Sequence, residues 1–344
     1  MITHLYLLDI MKYGNSKAKL NGMYAKRLKY NDLQELLHQN NLKSAIIILK
    51  TKILELNELD ESARRIQIET ALDKILIADI IKIKRLLDKN DKEIFNWFIE
   101  KYKIRCIKSV FRKLYSKTVV HYNPESIKIW TESIFKDIDG IQNVEDIAGF
   151  LHFINKTNYK KVFENFSNKE DQIKETNIFE IENDMDKIYL NKLIAITKDK
   201  NERLEKMIIN KIDLMNLLWL YRMKKYYNFS EDKIKDIFIK QEKSNSKLEI
   251  KQFLSLENDT EILETFKKKA YIKKYETSLS FEQNINRYLY KEYYKIFKSQ
   301  MFDISNICAY INLIEMENAD IVHIIEGIRY NLNKEEIQKK LVTK

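Results

Sequence analysis

The sequence predicts an all-α protein, and three observations carry the prediction. Apolar residues recur at three- and four-residue steps along nearly the whole chain, with no strict alternation of the kind a half-buried strand needs. The 344 residues include five Gly and one Pro, too few for the tight turns of a β-sandwich, a barrel or a doubly wound sheet. Apolar residues make up 44% and charged residues 33%, which suits helices with one buried stripe and a charged remainder. The glycine scarcity also excludes a phosphate-cradling loop. No two of Gly14, Gly22, Gly140, Gly149 and Gly327 stand at P-loop or dinucleotide-fold spacing.

In chain order, Ile2–Ile10 is apolar but short, with no basic region before it and no small-residue cleavage site after it, so it reads as an extension ahead of a helical pattern starting at Met11. Asp32 is a candidate N-cap for a pattern formed by Leu33, Leu36 and Leu37, continued by Ile46, Ile47, Leu49 and Ile53. Leu72, Ile75, Leu76, Ile80, Ile83, Leu86 and Leu87 form a long stripe on the next helix. Met207, Ile208, Ile212, Met215, Leu218, Trp219 and Met223 form another. Breaks are expected near residues 122–124, 137–143, 167–176, 228–231, 244–247 and 277–280.

The formal charge is +10, from 61 basic and 51 acidic residues, and only ten of the basic residues are Arg. Lys is a hydrated point charge, whereas Arg is the fork that reads phosphates and bases. The surface therefore reads first as a solvated helix exterior, and second as one weakly attracted to an acidic partner or an anionic membrane face. No helix-turn-helix, zinc-finger or RNP signature is present, so no nucleic-acid partner is expected. Cys106 and Cys308 lie in apolar helical stretches without CxxC spacing, which predicts reduced thiols in an intracellular chain. With His4, His38, His121, His152 and His323 scattered, no metal or cofactor is expected. No run reaches the roughly 18 apolar residues of a membrane span, so the chain is expected to be cytoplasmic or attached peripherally.

The chain also repeats itself three times. One mark couples Ile68-Glu69 to Leu72-Asp73-Lys74, Ile181-Glu182 to Met185-Asp186-Lys187, and Phe281-Glu282 to Ile285-Asn286-Arg287. The Glu positions are 113 and then 100 residues apart. A second mark precedes each: Asn41–Ile46 with Thr51–Ile53, Asn143–Ala148 with Thr157–Tyr159, and more weakly Asn258–Leu263 with Lys269–Tyr271. A third follows: Tyr102–Ile107, Ile212–Leu217 and Phe302–Ile307. Any one mark could arise by chance in a chain rich in Ile, Leu, Lys and Asn. Their shared order predicts three similar helical modules, over residues 1–120, 121–230 and 231–344.

At the third copy the residues become specific. Phe302-Asp303-Ile304, Ala309-Tyr310 and Glu315-Met316-Glu317 resemble the C-terminal signature of the C-subunit family of the bacterial and archaeal V-type (A-type) ATPase, related to the eukaryotic d-subunit. The tail Gly327, Leu332, Glu335 and Ile337 is similar to that family's "G-x-x-x-x-L-x-x-E-x-I". Tyr13-Gly14, Asp79-Ile80 through Arg85-Leu86-Leu87-Asp88, Glu182-Asn183-Asp184-Met185-Asp186 and Ile212–Leu217 also resemble family segments. Among the departures, Ile314 replaces a usual Lys and Cys106 a usual Asn.

The resemblance implies three pseudo-threefold modules arranged as a funnel, with no active site. It implies a place on the cytoplasmic face of the membrane, standing on the proteolipid ring and receiving the foot of the shaft subunits D and F, so that the rotor couples ATP hydrolysis to proton or sodium transport. It marks Arg85, Glu315 and Glu317 as candidate interface residues, with intramodule ion pairs as the other reading. Glu69, Asp73, Glu182, Asp186, Glu282 and Asn286 fall at i, i+4 spacing on one helix face. They read as ion pairs or caps closing each module rather than as acid–base machinery, which would need a nucleophile or metal set. Tyr288, Tyr290, Tyr293, Tyr294 and Phe297 read as packing rather than as stacking faces for nucleic acid. The alternative is a helical-repeat scaffold for protein or nucleic acid, unrelated to rotary ATPases.

Overall fold

A computed structural model describes residues 2–115, 121–164, 175–223, 225, 231–240, 255, 261, 264–265, 276 and 278–343. Among these residues there are fourteen α-helices and no strand. Helix α1 (Ile2–Ala25) begins at Ile2 rather than Met11, because no Gly or Pro interrupts the apolar opening. Helix α2 (Tyr30–Leu37) also starts earlier than expected. Asp32 lies in its first turn instead of at the N-cap and accepts the Lys29 backbone N–H at 2.7 Å, a carboxylate at the positive end of the helix. Helix α3 (Leu42–Lys52) is capped by Asn41 on the Ser44 N–H.

Two long helices follow, α4 (Arg65–Lys84) and α5 (Lys89–Tyr115). The expected break at 122–124 is the start of α6 (Pro124–Ser133), with Asn123 as N-cap and Pro124 in the first turn. The break at 137–143 is made by two 3-10 turns around Gly140, whose φ of 90° favours glycine. Then come α7 (Ile147–Ile154), α8 (Lys160–Phe163), α9 (Glu175–Thr197), α10 (Glu202–Arg222) and α11 (Glu231–Ile237). The chain closes with α12 (Phe281–Lys298), α13 (Ile304–Arg329) and α14 (Lys334–Lys340). The expected breaks at 167–174, 228–230 and 244–247, and most of the third copy of the second mark (258–271), lie outside the described residues.

The predicted stripes are largely buried: Leu72, Leu76, Ile80, Ile83 and Leu87 on or just past α4, and Met207, Ile208, Ile212, Trp219 and Met223 on or just past α10. The apolar residues form two clusters. The larger runs from Tyr13 of α1 through α5, α9 and α10 to the first half of α13, ending at Ile314. The smaller joins Leu33–Leu72 to Ile321–Leu341, so α2, α3 and the start of α4 are covered by the second half of α13 and by α14. Helices α4 and α13 run through both, and at about 2 kcal/mol per fully buried Leu or Ile they anchor each to the other.

Two contacts fix this end of the chain. The amide of the fully buried Asn306 donates to the Ile296 carbonyl at 2.7 Å, holding α13 to the end of α12. At Gly327 a Cβ would stand 2.5 Å from Ile337, so glycine is what allows α14 to lie against α13. These are the Gly and Ile of the tail pattern noted in the sequence.

Each copy of the first repeat mark lies in the first half of a long helix: α4, α9 and α12. A second long helix follows each and carries or opens on the third mark: α5, α10 and α13. No helix among the described residues is long and apolar enough to cross a membrane.

Candidate functional site

Helix α5 places Lys101, Arg105, Lys108 and Arg112 at i, i+4, i+7 and i+11, along one face. Each cation on that face reaches a carboxylate on one of three other helices, α4, α9 and α13. Lys101 donates to Glu315 of α13 at 2.5 Å and to the amide oxygen of Asn312 at 2.9 Å. Arg105 donates to both oxygens of Asp73 of α4, at 3.1 and 3.0 Å. The Ser126 hydroxyl adds a third bond to Asp73 at 2.5 Å. Lys108 donates to Asp186 of α9 at 2.6 Å, and both arms of the Arg112 fork reach Glu182 at 2.5 Å. A two-pronged Arg–carboxylate contact fixes orientation as well as distance.

The other marked residues are held similarly. Glu69 accepts from Arg65 Nε at 2.8 Å, and its second oxygen lies 2.6 Å from His121 Nε2. Glu282 accepts from Arg222 at 2.7 Å. In the second copy of the first mark the Glu is thus met by an Arg of α5, and in the third copy by an Arg from the last turn of α10.

These groups surround two adjoining cavities. One, of about 580 Å³, is bordered by Glu69, Asp73, Arg105, Lys108, Asp186 and Glu315, over an apolar floor that includes Leu72, Leu76 and Ile104. The other, of about 670 Å³, is bordered by Lys211 of α10, Glu282 and Asn286 of α12, and Glu315. Glu315, Ala319 and His323 border both, so α13 is the shared wall.

Burial and pairing compete at each site. Burial opposes ionisation of Glu315, but the charges of Lys101, Lys211 and Arg105 outweigh it and hold its carboxyl below the usual range. For Asp186 burial wins over Lys108, and the carboxyl is pushed up. Lys211 is pushed down to about 8, by burial first and then by Lys101. Glu69 is drawn down because Arg65 and His121 outweigh its burial. Carboxylates engaged in this way act as ties between helices and set alternating charge on the cavity walls.

Of the residues singled out from sequence, Glu69, Asp73, Asp186, Glu282, Asn286 and Glu315 come together around the cavities. Glu182 joins them through Arg112, which borders the first cavity. Glu317 does not. It is 5% exposed on the far side of α13, accepting the Leu28 N–H at 3.3 Å near Arg27. Arg85 is exposed at the end of α4, away from both cavities. Sequence reasoning missed the cationic face of α5, together with His121, Lys211 and His323. The signal for α5 was the helical spacing of its four basic residues.

Residues 16–340 match the family described as ATP synthase (C/AC39) subunit. The A-type ATP synthase C-subunit of Thermococcus gammatolerans is 22% identical over 218 residues, which cover 62% of this chain and 57% of that protein. This chain therefore spans little more than half the length of that relative. The uncharacterized protein ycf53 of Porphyra purpurea is 34% identical over 76 residues, 22% of this chain and 32% of the other. An entirely helical set of described elements and a match over nearly the whole length lead to one assignment: the chain belongs to the ATP synthase (C/AC39) subunit family.

Proposed function

We propose that this protein is a non-catalytic central-stalk subunit of a rotary V/A-type ATPase. In this reading it lies peripherally on the cytoplasmic face of the membrane, stands on the proteolipid ring and receives the foot of shaft subunits D and F. It thereby couples the ATP-hydrolysing head to proton or sodium transport. The observation that carries the reading, beside family membership, is the charged face of α5. Four cations on one helix tie α4, α9 and α13 around adjoining cavities, a stiff frame with alternating charge facing its interior. Transmitting torque asks for such stiffness, and the scarcity of Gly and Pro removes hinges.

The same reading takes the chain as three modules, over 1–120, 121–230 and 231–344, set in a funnel about a pseudo-threefold axis. The matched ties Arg112–Glu182 and Arg222–Glu282 support it. Of the three interface candidates, Arg85 and Glu315 have exposed side chains, Glu315 on the wall shared by the two cavities, which supports their meeting an outside partner, whereas Glu317 is buried.

Ala319 borders both cavities, so Ala319→Trp fills space in each without removing a charge. Co-expressed with subunits D and F, the wild-type chain should co-elute with them, and the variant should elute alone with its helix content unchanged. Undiminished co-elution of the variant would place the shaft elsewhere.

A further inference from the structure

A third cavity, of about 380 Å³, shares no lining residue with the two above. It lies between the second half of α1, the α1–α2 turn and the end of α12, and Lys17, Asn21, Tyr24, Lys29, Lys298 and Ser299 line it. Two ammonium groups converge there on one aromatic ring: Lys29 and Lys298 each stand 5.0 Å from the centroid of Tyr24. That puts them no more than about 10 Å apart, within roughly one Debye length at 0.1 M salt. Lys298 also lies 5.8 Å from the Tyr294 ring and 5.5 Å from that of Phe297. Lys17 completes the set, donating to the Gln300 carbonyl at 3.2 Å, while Lys29 donates to the Tyr24 carbonyl at 3.3 Å.

None of the three ammonium groups forms an ion pair among the described residues; their partners are neutral carbonyls and ring faces. This contrasts with the cavities above, where each cation of α5 meets a carboxylate. Lys29 feels the Asp32 and Glu317 carboxylates without pairing with either, Lys17 and Lys298 also form no ion pair among the described residues, and a cation–π contact offsets only part of the repulsion between the gathered charges. The arrangement is complementary to an anion.

Exposed side chains adjoining the lining residues show which kind. Tyr294 is 40% exposed, Tyr30, next to Lys29, is 49% exposed, and Met301, next to Gln300, is 60% exposed. A free inorganic anion has no use for exposed rings and a thioether, whereas the boundary of a lipid headgroup layer takes both lysines and amphipathic aromatic side chains. We infer that this pocket docks the chain on an anionic phospholipid surface, with Lys17, Lys29 and Lys298 taking headgroup phosphates and Tyr294 entering the boundary beneath them.

The test uses the full chain and sedimentation with vesicles. Wild type should bind vesicles of phosphatidylcholine mixed with phosphatidylglycerol, and not phosphatidylcholine alone. At about 1 kcal/mol per Lys near an anionic surface, Lys17→Ala, Lys29→Ala and Lys298→Ala together should weaken partitioning roughly a hundredfold, with an unchanged melting temperature. Tyr294→Ala, which leaves the charge alone, should weaken it severalfold. A control removing the exposed Lys156, Lys160 and Lys161 should have a much smaller effect. Equal losses in the two triple variants would reduce the binding to the overall charge of the chain and overturn the proposal. So would inorganic phosphate abolishing vesicle binding at millimolar concentration, which would make this a small-anion site. Displacement from vesicles by polyglutamate at low concentration would assign the pocket to an acidic protein and overturn it too.

Discussion

Replacing Glu317 by glutamine tests the energetics of α13 where they depart furthest from expectation. The Glu317 carboxyl is 5% exposed, and burial pushes it from 4.5 up to about 7, against the opposing pull of Arg27 and the Leu28 N–H. Below pH 4.5 the group is protonated in both folded and unfolded chains and adds no pH-dependent cost. Between 4.5 and 7 the folded chain keeps a proton that the unfolded chain has released, so stability falls as pH rises. Above 7 the full difference is lost, about 3 kcal/mol at 1.36 kcal/mol per unit. Glutamine cannot ionise and still offers the Leu28 N–H an oxygen. Glu317→Gln should therefore be more stable than wild type at pH 8, by about 2 kcal/mol once a weakened attraction to Arg27 is allowed for. The two proteins should converge near pH 5. Urea denaturation at the two pH values measures this directly. A variant less stable than wild type at pH 8 would show that Glu317 is ionised and held by Arg27, and would refute the reasoning.

Three further outcomes follow from the packing and the charged face. Arg112→Ala and Glu182→Ala should each cost about 1 kcal/mol, because the guanidinium is half-exposed, and a double-mutant cycle read by chemical denaturation should return most of that as coupling. Gly327→Ala should cost about 1–3 kcal/mol through the clash with Ile337, and distinctly less in an Ile337→Ala background, as thermal melts of the four proteins would show. Asn306→Leu should cost about 2–3 kcal/mol by stranding the carbonyl at Ile296, with hydrogen exchange rising first at the α12–α13 connection.

The helical class was legible because stripes such as Leu72 to Leu87 need burial on one side, and no turn-forming residues compete. The one cap named from the sequence, Asp32, lies inside the first turn of α2, while the caps Asn41 and Asn123 and the close approach of Gly327 to Ile337 emerge only with the helix bounds and packing in place. The charged face of α5 was hidden for a physical reason. In a chain this rich in Lys, basic residues at helical spacing are what a solvated surface looks like, and only the carboxylates brought up by α4, α9 and α13 distinguish the two. Glu315 and Glu317 make the same point within one helix. Two residues apart, they point about 200° away from each other around α13, so one faces the cavities while the other is driven into the core beside α1. The Glu–x–Glu pair alone cannot say which is which, because that depends on the helices packed around it.

Whether this chain works inside a rotary ATPase is tested most directly by the company it keeps. The tagged protein would be recovered from gently solubilised membranes of its own cell and the co-purifying chains identified. The expected result is shaft subunits D and F together with the catalytic head and the proteolipid ring. Recovery of the chain with none of them would contradict the proposed role and leave a helical scaffold of another kind.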